Sequence, residues 1–507
     1  MSLAEGRNIM AAAYIIGAFL LLLAVWKTFS RGKRLRLPPG PPGWPVLGHI
    51  PSLGKWPHVS LVKLSQKYGP LMSIRLGSCA TVVASSPEMA RIFLRSQDHL
   101  FASRPPSIVG EIFVYNYQDV VLSPYTDQWR RARKIFESEL FSRKRLPHVQ
   151  HIGREQILAT VERLTKAGRA GRLVEIDPHI THLSLDIMCR IGFSRRSSDS
   201  AGEQRNGVYS LLLEFCTAMA LFPVGDYIPF LRRLDLGGVE ESFLKLRAKF
   251  ENFLTPIIEE HRQKPDEDFL SALLALQQDP SVGGFPDEAI IALLMNVLIA
   301  GTETVANTTI WALTEVMRHP EVQEKITDEL DSVVGRQRLV EFADLNSLKY
   351  LKAVVKEAFR MHPVAALGLP HVAMEDTKAA GYDILKGTRV LVNFFALGRD
   401  PTSWSNPNNF VPERFINDKL LDVRGHHFEL LPFSTGRRMC PGMEMGLERV
   451  EMTLAQMFQT CILSLPPGME VDVEEGVGSA LPRAHHLQVL VSPRLAQEIY
   501  NQYDMRL

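Results

Sequence analysis

Residues 433–442 read FSTGRRMCPG and run straight into MEMGLERVEMTLAQMF, residues 443–458. Glycines and a proline around one cysteine, followed by a helical pattern, put Cys440 at the entrance of a helix. There the free N–H groups and the helix dipole favour a thiolate over a thiol. Gly436 permits a tight turn that other residues resist, and Gly442 removes a side chain where a large flat cofactor would approach. Arg438, two residues ahead of the cysteine, is suited to a carboxylate of such a cofactor. Cys79, Cys189, Cys216 and Cys461 lack this context and read as ordinary buried cysteines.

Working outward, residues 286–320 form the longest periodic segment. Asp287 and Glu288 follow Pro286 at its start, and Arg318, His319 and Pro320 close it, matching the charge and proline preferences of helix ends. More than 30 residues of helix span roughly 50 Å, enough to cross a domain. Its middle, IIALLMNVLIA (residues 290–300), is apolar all round and is expected to be buried on every side. Asn296 and Glu303 argue against a membrane span there. Residues 71–76 (LMSIRL), 80–85 (ATVVAS) and 388–395 (TRVLVNFF) read as strands. The chain is therefore mainly α with small β-sheets.

The N-terminus is a compositional break. Residues 9–26, IMAAAYIIGAFLLLLAVW, carry no charge and are long enough to cross a bilayer once, with Lys27, Arg31, Lys33, Arg34 and Arg36 behind them. No small-residue cleavage site follows, so the segment reads as a retained anchor whose basic flank keeps the rest cytoplasmic. Residues 38–48, PPGPPGWPVLG, are too proline-rich for a helix and suit a semi-rigid spacer. The expected organisation is an anchor at 1–26, a basic stretch and proline-rich hinge at 27–50, and one catalytic domain at 51–507. A polar patch, residues 195–207, reads as a surface loop. With 57 Lys and Arg against 56 Asp and Glu, nothing points to nucleic acid as a partner, and five unpaired cysteines indicate neither a disulfide framework nor a structural zinc site.

The residues around Cys440 resemble the haem-binding signature FxxGxRxCxG of the cytochrome P-450 superfamily, at Phe433, Gly436, Arg438, Cys440 and Gly442. Trp129 and Arg133 resemble its WxxxR motif, which implies contact with a haem propionate. Glu357 and Arg360 resemble its ExxR motif, with Arg414 of PERF (residues 412–415) as third member of a structural charge cluster. Residues 300–304, AGTET, resemble its oxygen-activation motif. That likeness implies a ligand space beside Gly301 and proton relay through Thr304 and Glu303. A threonine bonded back to its own helix is the plainer alternative for Thr304. Many plant members carry Ser or Thr where this chain has Val305. His371, in LPH (residues 369–371), is placed with the cofactor-binding residues.

The resemblance implies a triangular helical prism around a buried haem b, behind a single N-terminal transmembrane helix. It implies a monooxygenase that inserts one atom of O2 into a small hydrophobic substrate. No dinucleotide fingerprint stands between a strand and a helix, so NADPH electrons are expected from a partner flavoprotein, NADPH–cytochrome P-450 reductase, at the endoplasmic reticulum membrane. Residues 115–119 (YNYQD), 329–340 (ELDSVVGRQRLV) and 422–433 (DVRGHHFELLPF) look most like flavonoid ring hydroxylases. LPH and residues 485–495 (HHLQVLVSPRL) look more like phenylpropanoid-ester and fatty-acid hydroxylases. A plant phenolic is the expected substrate, with fatty-acid, terpenoid or amino-acid-derived substrates as alternatives. A haem sensor without turnover and a haem-thiolate isomerase are the rival classes, and the isomerases typically depart from the AGxET pattern kept here.

Overall fold

The computed structural model describes residues 35–142, 144–197, 207–280, 284–417 and 421–503. The expected anchor at 9–26 and most of the polar patch at 195–207 lie outside these. Helices dominate. The longest, Asp287–Arg318, starts behind Pro286 with Asp287 and Glu288 in its first turn and ends on Arg318. Ala289 to Leu298 are buried without interruption, and Thr302 and residues 306–317 follow. This helix is long and apolar enough to cross a membrane, yet it is wrapped by Ile176–Phe193, Lys349–Met361 and Met443–Thr460. It is the core of the body, and its apolar circumference is explained by protein neighbours.

The largest sheet has four strands: β1 (Leu71–Leu76), β2 (Cys79–Ala84), β3 (His371–Val372) and β4 (Arg389–Val392), in the order β1-β2-β4-β3. β1 and β2 pair as an antiparallel hairpin, β2 and β4 run parallel, and β3 pairs antiparallel to β4. The first strand matches its expected bounds. The segment at 388–395 was expected as one strand, but β4 stops at Val392. The Asn393 side chain accepts the Ala396 N–H at 3.1 Å and starts the short helix Phe394–Leu397. Smaller sheets join Val174–Glu175, Gln488–Pro493 and Cys461–Ser464, and Thr377–Ala379 with Tyr382–Ile384.

The proline-rich stretch is stitched to the first sheet. The Ser73 N–H donates to Pro39 O at 2.8 Å, and His49 contacts Pro41 O at 2.8 Å. Pro39 of the semi-rigid stretch is therefore bonded to β1 itself, and Pro41 to His49 beside it. A Cβ at Gly40 would lie 1.9 Å from Ser73 O, so this approach requires glycine.

Candidate active site

Cys440 sits between a short 3-10 turn, Gly436–Arg438, and Gly442, the N-cap of helix Met443–Thr460. Its N–H donates to Phe433 O at 3.0 Å and closes the loop. Gly436 has φ +74°, and a Cβ there would lie 2.2 Å from Leu94 O, so the tight turn was legible for the right reason. The thiol opens onto an internal cavity of about 300 Å³. Ala300, Gly301, Thr304 and Val305 of the long helix, together with Phe433, Gly442 and Gly446, line the same cavity. Burial pushes the thiol up, while the Gly442 N–H and Arg133 pull it down. Without a metal, loss of water outweighs the donors, of which the Gly442 N–H is the helix-entrance donor expected from the sequence. A bound metal cation would reverse that balance.

Two glycines have other neighbours than expected. A Cβ on Gly301 would lie 2.5 Å from Met188 Cε, so Met188 occupies that space. A Cβ on Gly442 would lie 3.3 Å from the Phe141 ring. Both residues still line the cavity.

One end of the cavity gathers cations. Arg438 is buried, with Nε donating to Ala102 O and Nη2 to Ser123 O at 2.6 Å each, and its guanidinium lies 4.0 Å from the Trp129 ring centroid. Its Nη1 has no partner among the described residues. Burial, then Arg104, pushes Arg438 down to about 9. Arg133 lines the same cavity, donating from Nη1 to Met439 O at 2.7 Å and from Nε to Glu137 at 2.6 Å. The Trp129 indole N–H goes to Val120 O at 2.9 Å, so it is not left over for a propionate as the motif implied. His371 donates from Nδ1 to Phe101 O at 2.8 Å, since a carbonyl can only accept. Burial first, then Arg104, pushes His371 down to about 3, so it is neutral.

Sequence reasoning missed Arg104, which donates to Val121, Leu369 and Pro370 carbonyls and which burial pushes down to about 10. The carboxylate facing Arg104 and Arg438 is Asp119, already taken by the N–H groups of Val121, Leu122 and Ser123 and by Asn296. A buried guanidinium with a spare donor and no carboxylate bonded to it fits an anionic group arriving from the cavity. A flat molecule with carboxylates at one edge and a metal facing Cys440 satisfies both ends.

On the long helix, Thr304 donates to Ala300 O at 2.7 Å, the helix-bonded alternative weighed above. Glu303 is not part of the cavity wall. Its carboxylate accepts from Cys216 Sγ, on helix Gly207–Met219, and from Ser479 Oγ in the C-terminal loop. Burial pushes it up to about 7. The proton-relay role expected of it would therefore start from a carboxyl held by these two ties.

Away from the cavity, Glu357, Arg360 and Arg414 form a closed network. Arg360 grips Glu357 with two bonds of 2.7 Å, and Arg414 Nε reaches Glu357 Oε1 at 3.0 Å. Arg360 also donates to Gly398, Pro407 and Asn409 carbonyls. These bonds tie helix Lys349–Met361 to the chain leading toward Cys440.

A thiol facing a glycine- and threonine-bearing helix across an apolar cavity, with arginines at one edge, defines a haem-thiolate protein. Residues 38–489 match the Cytochrome P450 family. Similar proteins include a flavonoid 3',5'-hydroxylase of Solanum melongena, 36% identical over 96% of this chain and 98% of that one. A flavonoid 3'-monooxygenase of Petunia hybrida is 38% identical over 96% and 98%. A flavonoid 3'-monooxygenase of Arabidopsis thaliana is 38% identical over 95% and 96%. A zebra fish cytochrome P450 structure with abiraterone superposes with TM-score 0.75 at 28% identity, covering 86% of this chain and 99% of that one. The chain belongs to the cytochrome P450 family. It is a haem-dependent monooxygenase that draws electrons from a reductase partner and acts on a small substrate with O2.

Proposed function

We propose that this chain hydroxylates an aromatic ring of a flavonoid: substrate C–H, O2, NADPH and a proton give the C–OH product, water and NADP+. The observation that carries it is the apolar cavity shared by Cys440 and by Ala300, Gly301 and Thr304. The substrate class is supported by relatives of that named activity matching nearly end to end. When bound, haem supplies the activation of oxygen and its insertion. Cys440 Sγ would ligate the iron, and Arg438, Arg104 and Arg133 would hold the propionates. Val120, Val121, Val297, Val364 and Leu367 give an apolar wall suited to an aromatic substrate. Thr304 can pass a proton at Oγ1 only by giving up its bond to Ala300 O. Residues 1–26 serve as a single-pass anchor in the endoplasmic reticulum membrane and 27–50 as the basic stretch and hinge. The domain at 51–507 then faces the cytoplasm, and the electron donor is NADPH–cytochrome P-450 reductase.

The test is turnover of full-length protein with that reductase and NADPH on a flavanone, a dihydroflavonol, a hydroxycinnamate ester and a medium-chain fatty acid. Hydroxylated flavonoid as the main product supports the reading. Exclusive turnover of the ester or the fatty acid overturns the substrate class. In the same assay Thr304→Ala should release more peroxide per product at similar NADPH use, and unchanged coupling would leave Thr304 with its helix bond alone.

A further inference from the structure

Helix Met443–Thr460 contains one arginine, Arg449, and carries it inward: the residue is 4% exposed. Its partners are unusual. Nη1 lies 2.8 Å from Met188 Sδ and Nη2 lies 3.4 Å from Met445 Sδ, and thioether sulfur is a weak acceptor. Nε has no partner among the described residues. The neighbouring acid, Glu448, attracts it through space but makes no salt bridge with it. Glu448 instead accepts from Gln150 at 2.7 Å, and burial pushes it up, toward its neutral form. Arg360 by contrast has a carboxylate and three carbonyls, and Arg438 has two carbonyls. Burial pushes Arg449 down to about 9, which leaves it cationic at neutral pH.

A buried cation with no carboxylate bonded to it is strongly unfavourable, and methionine would pack among Met188 and Met445 without that cost. The charge therefore calls for an explanation that packing does not give. Arg449 lines the cavity together with Cys440, Met445, Gly446 and Val450 of its own segment and with Met188 and Gly301 opposite. Met188 fills the space that a side chain on Gly301 would take, which fixes the guanidinium between the Cys440 helix and the long helix. A fixed positive charge in a low-dielectric wall stabilises any negative charge added nearby.

We infer that Arg449 is an electrostatic positioning residue: its buried guanidinium raises the reduction potential of the iron held by Cys440 and so favours uptake of the first electron. The step is a one-electron transfer from the reduced flavin of the partner to ferric iron, giving ferrous iron, with no bond made or broken.

The test uses full-length, haem-loaded protein and the substitutions Arg449→Met, Arg449→Gln and Arg449→Lys. Midpoint potentials are read by spectroelectrochemical titration, and first-electron transfer from reduced reductase by stopped flow. The Met and Gln variants should keep the thiolate-type band of the reduced carbon monoxide complex. Their potential should shift negative and their first electron arrive several-fold more slowly. Arg449→Lys should stay near wild type in both. Unchanged potentials in Met and Gln overturn the inference. So does failure of Met and Gln to retain haem while Lys retains it, which would make Arg449 a cofactor-holding residue, and so does failure of all three, which would make it structural. The wild-type spectrum is the control, because a wild type without the thiolate band would remove the haem-thiolate reading itself.

Discussion

Two groups of buried arginines in this molecule look alike in the sequence and differ in their charge balance. Around Glu357 the guanidinium groups of Arg360 and Arg414 share a fully buried carboxylate, and their remaining donors meet backbone carbonyls. Around Arg438 the cations of Arg104 and Arg133 crowd together, Nη1 is left over, and the facing acid is already saturated. A closed network has nothing left to bind and holds chain segments in place. An open one is poised for an anion that the polypeptide does not supply.

That contrast can be broken by experiment. Glu357→Ala strands the buried Arg360 and the half-buried Arg414 and should cost about 3–5 kcal/mol. Denaturant unfolding of the variant, or its failure to accumulate as folded protein, reads this directly. A melting profile indistinguishable from wild type would mean the network does not hold the fold. Arg438→Gln, on the other side of the comparison, removes a guanidinium that donates to the Ala102 and Ser123 carbonyls but is bonded to no carboxylate among the described residues. It should destabilise the haem-free protein less than Glu357→Ala does, yet speed haem loss roughly tenfold or more, as expected for a lost charge-assisted hydrogen bond. Haem transfer to an apo-globin acceptor measures the rate. Equal destabilisation of the haem-free protein by both substitutions would erase the distinction between the clusters.

A smaller effect is expected at Glu303, which burial moves from its ordinary 4.5 to about 7. Between those values the unfolded chain has lost a proton that the folded chain keeps, so stability from this group falls as pH rises toward 7. Melting temperatures at pH 5 and pH 8 should converge in Glu303→Gln relative to wild type. A pH dependence identical to wild type would show that the buried carboxyl does not titrate there. Smallest should be the exposed cations. Arg130, paired with Asp127, and Lys134 point to solvent from helix Asp127–Ile135, whose Trp129 and Arg133 face inward. Arg130→Glu with Lys134→Glu should slow reductase-supported turnover a few-fold at low salt and spare peroxide-driven turnover. Equal loss with both electron sources would assign them to the fold.

Local chemistry explains what could be read from the sequence. The long helix announced both ends through Asp287, Glu288, Arg318 and the flanking prolines, and the Cys440 loop announced itself through Gly436, whose backbone leaves little choice. The strand expected through Phe395 ran too long because Asn393 caps a helix turn, a role visible only once Ala396 folds back on it. Arg104, Met188 and Arg449 were invisible for a different reason. Arg104 meets Leu369 and Pro370 across 265 and 266 residues, and Arg449 meets Met188 across 261. No pattern of composition or period encodes such pairings. The same applies to Glu303, whose partners Cys216 and Ser479 lie far from its motif in the sequence.

The arrangement at Glu303 also bears on how variants of this chain should be compared. A single carboxyl group accepts from Cys216 and from Ser479, so the helix Gly207–Met219 and the C-terminal loop are fastened to the long helix by one shared atom cluster. Replacing Cys216 leaves that carboxyl more dependent on Ser479, and the reverse holds. The two positions are thus coupled through a third, and their substitutions should not add. A survey that changes one residue at a time would overrate the tolerance of both.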